Sequence, residues 1–112
     1  MILAINSKNK GKNGELEFVR LCHAEGFDKV HRTTQYRGNT GQAGDVEGLP
    51  GIHVEVKRNE RLNILEAMEQ SVRDCEASGK GKTPIVAHRK NNSPWLITMT
   101  AEDWSSMYRE SR

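Results

Sequence analysis

Cysteine and long apolar runs are what this sequence has least of. Its 112 residues contain two cysteines, Cys22 and Cys75, and three prolines. The two cysteines lack the spacing of metal ligands, so they predict buried free thiols in a reducing compartment. No apolar run approaches the roughly 20 residues of a membrane-spanning helix, and the N-terminal apolar stretch is too short for a signal peptide. The sequence therefore indicates a cytoplasmic protein without a membrane partner.

Apolar and aromatic residues are scarce as well. Hydrophobic residues make up 35% of the chain and aromatic residues 5%, whereas 29% are charged. A chain of this length can still bury a real core in one domain. We therefore predict a single domain over residues 1–112, with a small core and a wide polar surface.

Acidic residues are missing from three long stretches, although the net charge is only +2. Residues 1–14, 29–44 and 78–101 carry lysine and arginine but no acid. The acids collect in the predicted helices and in the central part of the chain. A basic rim around an acidic centre suits a phosphate backbone presented to a metal site, but ordinary solvated loops would give the same pattern.

The stretch from residue 44 to 57 predicts a β-hairpin, with a turn at Pro50-Gly51. Side chains of a strand alternate between its two faces. The second strand therefore puts three apolar residues on one face and three polar residues on the other: Ile52, Val54 and Val56 against His53, Glu55 and Lys57. Asp45 lies near the start of the first strand. Two carboxylates beside an ammonium indicate more than a core strand.

A helix is predicted to begin at residues 10–13 and to end at Glu25, with residues 1–10 as an irregular lead-in. On a helical wheel, Glu15 falls within an apolar stripe that contains Phe18 and Val19, and Glu17 falls on the opposite face. A carboxylate within an apolar stripe is costly unless it has a partner. The alternative is a frayed first turn, where the helix dipole favours an acid.

The rest of the chain predicts an α-β-β-β-α-β-β-α order and hence a mixed α/β fold. A strand at 29–34 precedes a glycine-rich loop at 35–44, and a helix over 62–77 precedes strands at 83–88 and 95–99. The apolar arc of that helix is Leu62, Ile64, Leu65, Met68, Val72 and Cys75. The run Ile85-Val86-Ala87 predicts a strand buried on both faces. Thr100 and Asp103 resemble a capping box that opens a final helix.

The acids of the hairpin suit metal-assisted phosphodiester hydrolysis. That reaction needs an activated water and charge neutralisation on the phosphate, and Mg²⁺ prefers oxygen ligands. We predict that Asp45, Glu55 and the backbone carbonyl of Val56 bind Mg²⁺, which Mn²⁺ can replace, and that Glu15 joins them directly or through water. Lys57 would orient or deprotonate the attacking water, or stabilise charge on the phosphate. No small-molecule cofactor is expected.

Asp45 followed by Glu55-Val56-Lys57 resembles the signature of the PD-(D/E)XK nuclease superfamily, with Gly44 in place of the usual proline. The strand context, the inward acid of the preceding helix and the α-β-β-β-α-β order strengthen the resemblance. It implies a restriction-endonuclease-like αβββαβ core, in which helices flank a mixed central sheet.

Within that superfamily, a second group of residues is similar to archaeal and phage Holliday junction resolvases: Lys10-Gly11, Glu15, Gly26-Phe27, Arg32 and Thr33. The resemblance implies that Glu15 joins the metal site and that Arg32, with Thr33 or Thr34, lies near the scissile phosphate. It also suggests Gln70 as a supporting catalytic residue, although the wheel puts Gln70 on the polar side of its helix.

Further residues are predicted to contact the nucleic acid, because they are basic or can stack on a base. His53 could contact DNA or have a structural role. The full set is Lys10, Lys12, Arg32, Thr33, Thr34, Tyr36, Arg37, His53, Arg58 and Arg61.

These features predict a metal-dependent DNA endonuclease, in particular a Holliday junction resolvase that makes paired nicks. If the protein is encoded by a phage, it would act in the host cytoplasm. A four-way junction is two-fold symmetric, so a homodimer is expected. Trp95, Trp104 and Tyr108 could form its interface, or the tryptophans could complete the core. The alternatives are a nuclease for flaps, nicks or duplex DNA, and a non-catalytic nucleic-acid-binding module.

Overall fold

A computed structural model describes residues 3–34, 43–78 and 81–112, with the side chains of the first helix described from residue 11 onward. The elements within these ranges follow the predicted order. They are α1 (Leu3–Ala24), β1 (His31–Arg32), β2 (Val46–Glu47), β3 (Ile52–Arg58), α2 (Ile64–Ser78), β4 (Thr83–Arg89), β5 (Leu96–Thr98) and α3 (Ala101–Ser111). None of the described helices is long and apolar enough to cross a bilayer.

The five strands form one mixed sheet in the spatial order β1-β2-β3-β4-β5. Strands β3 and β4 are parallel, and the other neighbouring pairs are antiparallel. Parallel strands require a crossover connection, and α2 supplies it between β3 and β4. Strand β3, which carries the predicted site, therefore lies at the centre of the sheet.

Helices α1 and α2 cover opposite faces of the sheet. Phe18 and Val19 of α1 pack on Val54 and Val56 of β3, whereas Ala67 and Met68 of α2 pack on Val86 of β4. The alternation predicted for β3 is confirmed by this packing. Strand β4 is buried on both faces as predicted, because its residues 85 and 87 belong to the α1 cluster and Val86 to the α2 cluster.

Two predictions about the helices are wrong. Residues 3–10 are not an irregular lead-in, because α1 begins at Leu3. Good helix formers such as Ala4 and Lys8 propagate a helix without an apolar stripe. Leu65 is 76% exposed rather than part of the apolar arc. The buried face of α2 is formed by Ala67, Met68, Ser71 and Cys75, and Leu65 lies roughly 100° away from it around the helix.

One of the two hydrogen bonds of the capping box predicted for α3 is confirmed, the one that the Thr100 side chain accepts. Thr100 is the N-cap residue, and its hydroxyl accepts a hydrogen bond from the Asp103 amide at 3.1 Å. Such a bond satisfies one of the amide groups that the first turn of a helix leaves without a partner.

The backbone at Gly44 lies directly against β3. A Cβ atom at this position would be 2.8 Å from the Val54 carbonyl oxygen and 3.1 Å from the Val54 nitrogen. Both contacts are with backbone atoms, which cannot move aside as a flexible side chain can. This contact explains why glycine stands where the superfamily pattern has proline, since proline also carries a Cβ.

We predict that Gly44→Ala lowers the free energy of unfolding by about 1–3 kcal/mol, the usual cost of overpacking. Gly11→Ala is the matched control, because a Cβ added at Gly11 meets nothing within 4 Å. Alanine is also favoured over glycine within a helix such as α1. Urea unfolding followed by circular dichroism measures both variants. Equal stability of Gly44→Ala and the unmodified chain would contradict the close contact.

Candidate active site

Asp45 and Glu55 form a hydrogen-bonded carboxyl pair at the centre of the site. The Asp45 amide donates to the Val54 carbonyl at 2.7 Å, and Asp45 Oδ2 accepts from the Val56 amide at 2.8 Å. Burial, the charge of Glu55 and a hydrogen bond with Glu55 raise the pKa of Asp45 to about 6, against the opposing effects of the Val56 amide and Lys57. Two acids so close together are difficult to ionise at once unless a cation lies between them.

Glu55 is held by a histidine on its other side. His53 Nε2 lies 3.0 Å from Glu55 Oε1, and the two residues are 3% and 4% exposed. The predicted contact of His53 with DNA does not fit this burial, since almost none of the imidazole reaches the surface. The structural role that the sequence left open does fit it.

Glu15 faces inward from α1, as the helical wheel predicted. Its Oε1 accepts a hydrogen bond from Arg32 Nε at 2.8 Å, and its side chain is 20% exposed. Burial raises the pKa of Glu15, Arg32 opposes that shift, and the charge of Asp45 adds to it. The carboxylate thus has the partner that an inward acid requires, and it is near enough to Asp45 to sense its charge.

The residues of this site suit a divalent cation that is bound by two carboxylates rather than three. Within residues 3–34, 43–78 and 81–112, no three histidine, cysteine or acidic side chains converge closely enough to hold a metal ion. Glu15 therefore stands apart from the pair formed by Asp45 and Glu55. Mg²⁺ keeps several waters and commonly uses one or two carboxylates, so that pair is a sufficient protein share of its ligands.

Thr33 links the end of strand β1 to the residues just before β2 by two hydrogen bonds. Its amide donates to the Asp45 carbonyl at 3.0 Å, and its hydroxyl donates to the Gly44 carbonyl at 2.5 Å. Thr33 is 7% exposed, so its hydroxyl is engaged within the protein.

Of the other residues predicted to contact nucleic acid, some lie within the described part of the chain and some lie outside it. Lys12 and Thr34 are exposed. Tyr36, Arg37 and the side chain of Lys10 lie outside the described part of the chain.

Lys57 and Gln70 line the same groove. Together with Arg61 and Arg73 they line a cavity of about 230 Å³. Val56, Lys57 and Arg61 also line an adjoining cavity of about 590 Å³. The polar side of α2 faces this groove, which explains how Gln70 can be on that side of its helix and still share a cavity with Lys57.

A charged cluster joins α1 to the ends of β3 and β4. Glu17 accepts hydrogen bonds from Arg89 Nη1 and, at 3.1 Å, from Trp95 Nε1. Its Oε2 lies 3.5 Å from Arg58 Nε. The helical wheel put Glu17 on the face opposite the apolar stripe and gave it no partner, but its long side chain reaches the strand ends.

Arg58 is largely occupied by this cluster. Its side chain is 15% exposed, and it contacts Glu60 at 3.4 Å and Asn91 at 2.8 Å. The predicted contact of Arg58 with nucleic acid would compete with these bonds and stays a prediction.

Arg61 and Arg73 differ from Arg58 in having no acidic partner within 4.0 Å among the described residues. Both are exposed and line the groove beside Lys57. The sequence pattern around Arg73 did not indicate a site residue, because an exposed arginine within a helix is a common solvated residue. Its position opposite β3 is visible only in the fold.

The comparisons with known proteins agree with this fold. The structure is similar to that of Hjc, a Holliday junction resolvase from the archaeal hyperthermophile Archaeoglobus fulgidus, with a TM-score of 0.57 and 19% identity over 80% of this chain and 76% of that one. No curated protein sequence matches the chain. The family model described as "Phage putative PDDEXK endonuclease" matches residues 6–112. The chain therefore belongs to this phage family of PD-(D/E)XK endonucleases, with the restriction-endonuclease-like fold that the sequence predicted.

Proposed function

We propose that this nuclease hydrolyses DNA phosphodiester bonds with Mg²⁺, or Mn²⁺ in its place, held by Asp45, Glu55 and the Val56 carbonyl. The observation that carries the proposal is the buried carboxyl pair, in which Asp45 and Glu55 are hydrogen-bonded and the pKa of Asp45 is about 6. Such a pair costs stability without a cation and gains it with one. When bound, the cation supplies charge neutralisation and activates a water molecule.

The surrounding side chains have complementary tasks in this proposal. Lys57 projects from the same face of β3 as Glu55, where its ammonium orients the water or stabilises charge on the phosphate. Glu15 holds Arg32 beside Asp45 through the 2.8 Å ion pair, so that Arg32 can meet the scissile phosphate. Glu15 approaches the cation through water, and Gln70 supports Lys57 across the groove.

We further propose that the substrate is a four-way DNA junction and that the protein cuts it with two symmetric nicks. The similarity of fold to a Holliday junction resolvase supports this choice. Flaps, nicked DNA and linear duplex are the competing substrates for a nuclease of this family, and direct comparison distinguishes them.

An exposed apolar face supports a homodimer as the active form. Helix α3 buries none of its residues, and Trp104 stacks on Tyr108 at 5.5 Å while both remain about half exposed. A two-fold pairing of antiparallel α3 helices would cover both rings. It would also bring the acidic first turn of one helix, with Glu102, near Arg109 in the last turn of the other, a favourable arrangement of charge.

A basic groove supports DNA as the ligand. Lys57, on the same face of β3 as Glu55, lines one cavity together with Arg61, Arg73 and one acid, Glu66, and a phosphate backbone would meet the three cations there. Cations without an intramolecular partner lose less on binding phosphate than cations that must first break an ion pair.

We predict that the unmodified protein, in Mg²⁺, nicks a synthetic four-way junction symmetrically and in preference to flap, nicked, duplex or single-stranded DNA. Asp45→Asn should lower cleavage by at least about 100-fold, because it removes a charged ligand of the cation. Asparagine retains an oxygen that can accept from the Val56 amide, so the fold should persist. Gel analysis of end-labelled strands measures the cuts.

The control for that substitution is Asp28→Asn, which neutralises an exposed acid between α1 and β1 and should leave cleavage unchanged. Equal cutting of all five substrates would exclude junction selectivity. Full activity of Asp45→Asn would exclude the proposed cation site.

We predict that, without metal, Asp45 favours folding at low pH. The folded pKa of about 6 exceeds the ordinary value of 3.8, so the folded state holds a proton that the unfolded state has released. This contribution is complete below the ordinary pKa and is lost as the pH rises through about 6. It amounts to about 1 kcal/mol between about pH 5 and pH 7.5.

Urea unfolding in a chelator, compared with Asp45→Asn, isolates this contribution from those of other groups. The difference in stability between the two proteins should change with pH in the stated direction. Mn²⁺ should stabilise the unmodified chain more at the higher pH, where the carboxyl pair is ionised. A difference that does not depend on pH would contradict the proposed protonation.

We predict that Arg61→Gln and Arg73→Gln each weaken junction binding, about two- to tenfold at low salt. Each should also lower the slope of log K against log salt concentration by about 1. Arg20→Gln is the matched control, because Arg20 is exposed on α1 and lines neither cavity. Fluorescence anisotropy with Ca²⁺ in place of Mg²⁺ measures binding. A salt slope unchanged in both groove variants would contradict the DNA path.

A further inference from the structure

The hydrogen bond between His53 and Glu55 joins two buried side chains on one face of β3. Nε2 and Oε1 are 3.0 Å apart, and the side chains are 2% and 5% exposed. A carboxylate can only accept, so Nε2 carries the hydrogen of this bond. The partner of His53 is thus one of the two proposed cation ligands.

The position of Glu55 is determined from two directions. His53 donates to Oε1 at 3.0 Å, and the Asp45 carboxyl lies within hydrogen-bonding reach of the Glu55 side chain. Asp45 is itself held by the Val56 amide at 2.8 Å. A cation held between the two acids would replace the contact between them, and His53 would then remain as the donor to Glu55.

We infer that His53 is a positioning residue, which holds Glu55 in the rotamer that receives the cation; this inference rests on the proposed function. Carboxylates that bind metals are themselves usually hydrogen-bonded, and loss of such a bond typically costs 10–100-fold in metal affinity. A glutamate has three side-chain torsions, so one fixed oxygen removes most of its freedom before the cation binds.

Among the described residues, Glu55 is the side chain to which the His53 imidazole is hydrogen-bonded. His53 also borders a cavity of about 370 Å³, whose wall combines apolar residues such as Val46 and Leu49 with the polar side chains of Glu47, Ser78 and Lys82. The direct hydrogen bond to Glu55 is the contact that gives the imidazole its task in the site.

The test compares His53→Gln with His53→Asn. The glutamine amide nitrogen reaches about as far from the backbone as Nε2, whereas the asparagine amide is one bond shorter. Isothermal titration with MnCl₂ alone, without DNA, measures the affinity. His53→Asn should weaken Mn²⁺ binding 10–100-fold, and His53→Gln should remain within about threefold of the unmodified chain.

A second readout uses cleavage. The Mg²⁺ concentration for half-maximal cleavage should rise in His53→Asn, whereas the rate at saturating Mg²⁺ should stay within a few fold. Ser71→Ala is the matched control, because it removes another buried hydrogen bond, from Ser71 Oγ to the Ile85 carbonyl at 3.0 Å. It should lower stability without changing the affinity for Mn²⁺.

His53→Asn with unchanged Mn²⁺ affinity would overturn the inference, as would His53→Gln as weak as His53→Asn. If His53→Asn does not fold, His53→Leu takes its place, and failure of both to fold would assign His53 to folding instead. Absence of Mn²⁺ binding by the unmodified chain would overturn the proposed function itself. Unchanged affinity in the variants removes only the positioning role.

Discussion

The hydrogen bond from the Val56 amide to the Asp45 carboxylate is the interaction on which the site depends. In a continued antiparallel ladder, the Val56 amide would donate to a backbone carbonyl of the neighbouring strand. Here the Asp45 side chain accepts that hydrogen bond instead, at the point where β2 and β3 separate. The orientation of Asp45 is thereby fixed by the sheet. The close approach at Gly44 follows from the same geometry, because the chain that delivers Asp45 must first pass directly over Val54.

This arrangement concentrates unfavourable electrostatics at the centre of the sheet. Asp45 and Glu55 are both withdrawn from water and repel each other when ionised. Two ion pairs nearby have the opposite character, because Arg32 is matched by Glu15 and Arg89 by Glu17. Among the described residues, these two arginines are thus paired with acids, whereas Arg61 and Arg73 of the groove have no acid within 4.0 Å, although the sequence gives all four the same charge.

Much of this structure could be predicted from local patterns. The period-2 alternation in β3 gave the correct faces, and the apolar run of β4 gave a strand buried on both sides. The order of helices and strands was also correct. The inward position of Glu15 followed from a single helical wheel, because the neighbouring residues of that stripe are strongly apolar.

The errors concern contacts between residues that are distant in the chain. Glu17 could not be assigned to Arg89, 72 residues away, because nothing in the sequence states which strand ends lie beneath the flank of α1. The burial of His53 depends on α2 covering that face of β3. The reason for Gly44 is a backbone contact, which leaves no compositional trace. The start of α1 was missed because helix propensity without an apolar stripe gives a weak pattern.

The two tryptophans lie in opposite surroundings, which gives the protein two independent optical reporters. Trp95 packs 5.3 Å from the Phe18 ring and donates its indole hydrogen to Glu17, so its emission responds to loss of the core. Trp104 is 55% exposed on α3, so its emission responds to whatever covers that helix. Phenylalanine at one position or the other would separate unfolding from association in a single fluorescence spectrum.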